Sequence, residues 1–554
     1  MTSTGATHPH PTGTAVALSA TLERLDDTGR ELRALDPARH EAYLAALPHA
    51  ADHVARRLIG ALHRERLAGV TASTHAIDTP KGPVAARWHG FGRAEPVGEL
   101  PAPPLDLITD LGAALGGGLP AELGSAVATL ALAYTRRPGP PAATGDPDAL
   151  AAGYERLATE GHNLHPCART RLGWSVADTL AHDLEAGHTH VAFVGVRRDR
   201  LVGDDLGRAL GVGGTRTHLA QPVHAWQLGH LRRTRADLFA AGVLTDLPVA
   251  PLPATPTAAL RTLHVPGHGY LKLSLDIQVT STRRTISIAS SRNGPVLSAL
   301  LADLLADEPV LLLAETGGSA CADAPRDVTA ILRTGLSGTL RPDETALPAT
   351  ALTVTPPGET SSVVGGLLRR DRVGALPFLA SYTRVLLPPL LRLATRHGIG
   401  LEAHLQNCLP VFRGGHPVRM VLRDVAGLRV HLPRLAARGH RPDLWPGSVV
   451  GTDDLTVMRS KLGYTALQAH LGELVRHLAD TAGLDETAAW HAVRDVVDEV
   501  YDDLRRDPTV DPADAAADHA FWTAPRMPHK ALVRMRLAGA GDLYVDVPNP
   551  LHGA

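Results

Sequence analysis

Apolar residues return every three to four positions between residues 15 and 67, as Leu18, Leu22, Leu25, then Leu44, Leu47, then Val54, Leu58 and Leu62. That spacing puts them on one side of a helix, and Pro37 and Pro48 predict breaks in it. Residues 94–122 and 137–148 are rich in Pro, Gly and Ala. The second stretch, RPGPPAATGDPD, reads as a loop before a helix starting near Ala149, so a boundary is expected between 140 and 160. From 190 to 300, short β-branched or apolar runs (190–196, 262–275, 277–288) alternate with turns, the pattern of a mixed α/β unit. A helix is predicted over 377–397. Pro388 and Pro389 should kink or restart it, and Gly398 and Gly400 should stop it before a strand pair. Helical periodicity resumes over 432–504, and no internal repeat is visible. These elements predict an α+β multidomain chain.

Composition narrows the class. At about 150 residues per domain, 554 residues imply two to four packed units. The 55 Lys and Arg nearly cancel the 57 Asp and Glu, so no global field favours nucleic acid or a lipid surface. Cys167, Cys321 and Cys408 form no CxxC pair, which fits a reducing, cytoplasmic setting. Residues 1–13 lack a basic region followed by an apolar core and read as a tail, not a signal peptide. The longest apolar runs, 310–314 and 385–391, fall well short of the roughly 20 residues a membrane helix needs. Only four lysines occur: Lys81, Lys272, Lys461 and Lys530. A compact ammonium suits tight phosphate or carboxylate sites, so each matters; Lys81 and Lys461 read as surface positions.

Three segments carry polar groups inside otherwise apolar runs. In 400–407 a strand period puts Glu402, His404 and Gln406 on one face, and burying charges there unpaired would cost on the order of several kcal/mol each. They need a ligand, a metal or one another. Glu402, Asn407 and Asp424 offer the hard oxygens that Mg²⁺ takes, which implies a magnesium-nucleotide site. A regular hairpin closing at 413–416 sets Asp424 opposite Leu405, on the wrong face, so a bulge between 404 and 407 is expected. In 267–285, Lys272, Ser274, Asp276, Gln278 and Thr280 share one strand face. Lys272 suits a triphosphate as a point charge and Arg284 a carboxylate as a fork, although a solvated amphipathic strand shows the same pattern. In 160–174, His162, His165, Cys167, Arg169 and Arg171 crowd together. Zinc on His162, His165 and Cys167 is one reading, against which no CxxC or HxxxH partner exists and Pro166 interrupts the helix; phosphate contact is the other. No lysine follows a glycine, which excludes a G-x-x-x-x-G-K-[ST] loop, and Gly211-Val-Gly-Gly214 reads as an ordinary loop.

In this order and spacing the segments resemble the IucA/IucC family of NRPS-independent siderophore synthetases. The family's GHPxHPxxKxRxG element is matched by Gly161 to Gly173, with Asn163 for proline and Arg169 for lysine. Its KLxLxxxITSxxRT element is matched by Lys272 to Thr285, with Val279 for isoleucine, and its EAHxQN…RD element by Glu402 to Asn407 and Arg423-Asp424. The stretch from Pro528-His-Lys530 to Asn549-Pro550-Leu551 is similar to the family's FhuF-like C-terminal segment. The resemblance implies a hand-like fold, with a mostly helical thumb over 1–160, α/β fingers over 161–370 and a palm over 371–554, and a homodimer. It also implies an ATP- and Mg²⁺-dependent enzyme that activates a citrate-like carboxylate as an acyl-adenylate and condenses it with an amine or alcohol. By position, His162, His165, Arg169, Arg261, Thr262, Lys272, Arg284 and Asn407 would hold the nucleotide, and Glu402, Asn407 and Asp424 the metal. Thr280, Ser281, Arg284, His404 and Lys530 would hold the acid, with Lys272, Arg284 and His404 acting in catalysis. Ala259 stands where members often carry a serine, which removes one neutral hydrogen bond worth about 1 kcal/mol. Two rival readings make different predictions. A non-catalytic citrate or ferric-siderophore binder has affinity without AMP formation, and a zinc metalloenzyme carries stoichiometric zinc.

Overall fold

The computed structural model describes residues 13–280, 282–539 and 541–554, with side chains from residue 20 onward; the segment read as a tail lies outside them apart from Gly13. Helices Gly13–Leu35, Pro37–Glu65, Pro104–Leu115 and Leu119–Tyr134 close around a core that includes Leu58, Ile59, Leu62, Leu107, Leu123 and Val127. Asp36 caps the second helix by accepting from Arg39 N at 3.0 Å, and Pro37 occupies its first turn, where no intrahelical N–H is needed. The predicted break at Pro48 does not occur. Pro48 and Leu44 both face solvent, so water satisfies the carbonyl that the missing N–H would have bonded. The loop over 137–148 does give way to a helix, Pro147–Glu155.

A nine-stranded antiparallel sheet forms the middle of the molecule. Strand Gly269–Leu273 lies inside it, with Lys272 opposite Thr262 on one side and Ile331 on the other. The polar strand face read over 272–280 is cut at Ser274. Its hydroxyl donates to Arg326 O at 2.7 Å and accepts from Ile286 N at 3.0 Å, and the chain leaves the sheet to form the hairpin Leu275–Val279 and Thr282–Arg284. Lys272 therefore stands on a rigid central strand, and Arg284 on a separate ribbon that turns back towards it.

The C-terminal third is built on helix Ala375–His397, which runs unbroken through Pro388 and Pro389 because Phe378, Tyr382, Leu386, Leu390 and Leu393 bury its inner face. Gly398, at φ +67°, ends it as expected. Strands Cys408–Arg413 and His416–Arg423 form a hairpin, and Val310–Leu313 adds a parallel strand to the latter. Helical residues 455–482 include a π-helix, Gly463–Leu471, and the strand pair Arg526–Lys530 with Tyr544–Pro548 brings the chain end back beside it. Among the described residues, no helix is long and apolar enough to cross a membrane.

Candidate active site

Lys272 is 2% exposed and its Nζ lies 2.5 Å from Asp424 Oδ1. Arg333, paired with Glu315 at 3.1 Å, stands 3.5 Å from the other Asp424 oxygen. These cations hold the Asp424 carboxyl far below its ordinary range against the opposing effect of burial. Asp424 reaches the lysine because it follows the strand in a left-handed conformation, φ +67°. Its neighbour Arg423 serves the scaffold, pairing with buried Glu155 at 2.8 Å and donating to Gln406 O at 2.8 Å. That bond pins a 3₁₀ turn over Leu405–Asn407. The turn does the work expected of a bulge: it brings Glu402, Asn407 and Asp424 to the lining of one cavity. The expected strand over 400–407 is confined to Ile399–Gly400, yet the alternation survives, with Leu401, Ala403 and Leu405 buried and Glu402, His404 and Gln406 partly exposed.

Lys461 corrects the reading of it as a surface lysine. It is 4% exposed, 2.8 Å from Glu402 Oε1 and 2.9 Å from Asp542, which also pairs with Lys530 at 2.7 Å. Lys81, by contrast, is exposed beside Asp110. Glu402 approaches Gly427 so closely that a Cβ there would lie 1.7 Å from Oε2, so any larger residue would displace the carboxylate. The π-helix braces this wall from behind. Thr465 Oγ1, which donates to Lys461 O at 2.9 Å, lies 3.3 Å from Leu401 O, and His470 Nδ1 donates to Ala403 O at 2.9 Å while its Nε2 accepts from Tyr382 at 2.7 Å. The side chains at 465 and 470, with Lys461 just before the π-helix, converge on the segment 401–403, and π-helices often mark functional sites.

Arg261 and Arg284 face the same carboxylates. Arg261 donates to the carbonyls of Arg284 and Thr285 at 3.2 and 3.0 Å, which fixes the ribbon's end. Burial, then the neighbouring Arg261 and Arg171, pulls Arg284 down to about 9, while Glu402 and Asp424 favour its charge. Its Nη2 donates to Thr280 Oγ1 at 2.8 Å. Thr280 sits at φ +58°, as the two-residue turn between Val279 and Thr282 demands, and a β-branched residue there carries roughly 1–3 kcal/mol of strain. Ser281 lies outside the described residues. The Thr262 hydroxyl is buried with no hydrogen-bond partner among them, opposite Lys272.

The 161–174 segment is tied to this ribbon, since Leu172 exchanges hydrogen bonds with Gln278 at 3.2 and 2.9 Å. His162 and His165 come within electrostatic reach of Lys530, His162 of His404 and His165 of Arg284. Burial leads in lowering both, His165 to about 3, so both are neutral. Burial also lowers His404, against Glu402 and Asp424. Arg169 is engaged elsewhere. Its guanidinium is buried with Asp183 and Glu185 at 3.0 and 2.9 Å, and Arg171 joins Asp183, so these arginines hold the segment's shape. The zinc reading fails on geometry. Cys167 belongs to the N-terminal apolar core, and the one group of three His, Cys or acidic side chains gathered closely enough for a metal among the described residues is His89, Glu95 and Asp480.

A family model described as IucA / IucC matches residues 151–354, and one described as ferric iron reductase FhuF-like transporter matches 377–545. The chain is similar to D-ornithine–citrate ligase of Staphylococcus aureus, 25% identical over 465 residues that cover 72% of this chain and 70% of that protein. Its fold is that of the petrobactin biosynthesis protein AsbB from Bacillus anthracis (TM-score 0.77, 20% identity, 93% of this chain and 98% of that one). ATP-bound aerobactin synthetase IucA from Klebsiella pneumoniae superposes with a TM-score of 0.72 at 19% identity, covering 91% of this chain and all of that one. With both family models in register and the α+β hand-like architecture shared, this chain belongs to the IucA/IucC family of NRPS-independent siderophore synthetases.

Proposed function

We propose that this ATP-dependent ligase activates one carboxylate of citrate, or of a citrate-like acid, as an acyl-adenylate and transfers it to an amine or alcohol. One observation carries the reading: six buried or half-buried cations, Lys272, Lys461, Lys530, Arg261, Arg284 and Arg333, converge on four carboxylates, Glu315, Glu402, Asp424 and Asp542. The excess of positive charge suits two anions that must meet. A carboxylate about 4 Å from a phosphate is repelled by on the order of 4 kcal/mol at an effective dielectric near 20. Lys272 and Arg284 offset that repulsion and stabilise the charge that builds on the phosphoryl oxygens.

The hard oxygens of Glu402, Asn407 and Asp424 fit Mg²⁺, and Asn407 Nδ2 donates to Glu402 O at 3.0 Å, which leaves its Oδ1 to ligate. Bound there, Mg²⁺ would supply further neutralisation of the triphosphate. In the first step the acid's carboxylate oxygen attacks the α-phosphorus and pyrophosphate leaves. In the second, the amine or hydroxyl attacks the acyl carbon, AMP leaves, and neutral His404 takes the nucleophile's proton. Thr280, Arg284, His404 and Lys530 hold the acid. Cytoplasmic location, a homodimer, and a division into thumb, fingers and palm near residues 160 and 370 complete the proposal. Separate apolar cores in the N-terminal helices and the central sheet support the first division, while the C-terminal core also takes in Leu297, Leu301, Leu347 and Val364 from before residue 370.

The test is a screen of polycarboxylic acids and amines for ATP-dependent pyrophosphate release, with mass analysis of the product. A condensed acid–amine product and stoichiometric AMP are expected. Acid affinity without AMP would replace the ligase by a binding protein.

A further inference from the structure

Arg64 lies on the thumb-side helix Pro37–Glu65, and among the described residues no carboxylate lies within ion-pair distance of it. The adjacent carboxylate, Glu65, is committed to the backbone N–H groups of Val533 and Arg534 at 3.0 and 2.7 Å. Arg64 Nη1 instead hydrogen-bonds a neutral group, His529 Nε2, at 3.2 Å. The tautomer is determined by the far side of that ring. Gln468 donates its amide N to Pro528 O at 2.8 Å, so its Oε1 faces His529 Nδ1 at 2.6 Å, Nδ1 carries the proton, and Nε2 accepts from Arg64. Arg64 Nε is buried and without an acceptor.

A second orphan stands beside it. Tyr464, on the π-helix, is 4% exposed, its hydroxyl has no partner among the described residues, and its ring meets that of His529 at 5.3 Å. Arg64 and Tyr464 are in electrostatic reach of each other, and Tyr464 also of Glu402. A half-buried guanidinium and a buried phenol, both short of an acceptor, match a carboxylate: a fork of N–H donors and an O–H donor for two oxygens.

Resting on the ligase reading, we propose that Arg64 and Tyr464 hold the carboxylate of the acceptor, so that the amine this enzyme acylates is an amino acid. Position assigns the site to the acceptor and not to the acid being activated. The neighbours of Arg64 are Arg93, Tyr464, Glu65 and Glu95, none of them part of the Lys272, Arg284 and Asp424 group where the acid must meet the nucleotide. His529, bonded to Arg64, is in electrostatic reach of His162, and His162 of His404, the proposed proton acceptor. The proposal requires an amino acid anchored at Arg64 to reach His404 and the acyl carbon with its side-chain amine.

The experiment compares each diamino acid with the diamine it becomes without its carboxylate: ornithine with putrescine, lysine with cadaverine, and 2,3-diaminopropionate with ethylenediamine. Wild-type enzyme should favour the amino acid of at least one pair by roughly 100-fold in kcat/KM, the scale of one charge-assisted contact. Arg64→Gln should erase that preference through the KM of the amino acid, with the KM of the acid in hydroxamate formation with hydroxylamine moving less than about threefold. Tyr464→Phe, which removes only an oxygen, should reduce the preference roughly tenfold and keeps the test open if Arg64→Gln does not fold. A diamine preference, equal use of both members, failure of every amino acid in an enzyme that forms hydroxamate, or a preference surviving both variants would overturn the proposal. Absence of hydroxamate in wild type with every polycarboxylic acid overturns the ligase reading instead.

Discussion

Replacing Lys461 with methionine separates the two cations that could neutralise Glu402. In the protein without ligand, Lys461 lies 2.8 Å from Glu402 and keeps its carboxyl charged despite burial. Removing one member of a buried ion pair costs roughly 3–5 kcal/mol, because the other is left uncompensated. Glu402 is 23% exposed, and Lys530 and His404 remain within reach, so about 3 kcal/mol is expected. Asp542 keeps Lys530 at 2.7 Å and adds little. Glu402→Gln in the same background removes the stranded charge and should restore about 2 kcal/mol, a coupling read from the urea midpoints of wild type, both single variants and the double variant. Magnesium and ATP should raise the midpoint of Lys461→Met more than that of wild type, since the metal takes over the missing positive charge at Glu402. Single-variant effects that add to within about 0.5 kcal/mol, together with equal stabilisation of both proteins by the nucleotide, would refute the pairing and the ligand role of Glu402 at once.

Arg284→Lys should lower acid-dependent pyrophosphate release at least 100-fold at an unchanged far-UV spectrum, since a point charge cannot replace the fork that faces substrate and Thr280 together. His404→Ala should slow amide formation more than pyrophosphate release; full product formation in a hydroxylamine-trapping assay would remove His404 from the proton transfer. Acid should destabilise the fold well above the carboxylate range. Burial lowers His165 and His224 to about 3 and His470 to about 4. Between those values and roughly 6.5 the unfolded chain therefore binds protons that the folded one refuses, and stability falls as pH falls. Each histidine contributes a loss of about 2 kcal/mol from pH 7 to 5, seen as a falling thermal midpoint; a flat midpoint over that range would contradict neutral burial.

The sequence by itself determined the family and singled out residues that the fold brings near one another. The reason is local: scarce lysines, periodic faces and helix stops such as Gly398 are written within a few residues of one another. Lys272 pairs with Asp424, Glu402 and Asp424 line one cavity, and both act on the charge of Arg284 and His404. Where a neighbour far along the chain decides a residue's partner, local reading was blind. Lys461 lies between the buried Met458 and Leu462 on a helical stretch, a spacing that pointed inwards, but its partners Glu402 and Asp542 are 59 positions before it and 81 after it. Arg169 matched a phosphate-binding position, yet Asp183 and Glu185 claim it, and Cys167 lies in an apolar core with no ligand geometry. The 3₁₀ turn at Leu405–Asn407, the left-handed Asp424 and the bracing π-helix belong to tertiary structure alone. Each costs backbone energy locally and persists because buried pairs made across the fold outweigh that cost.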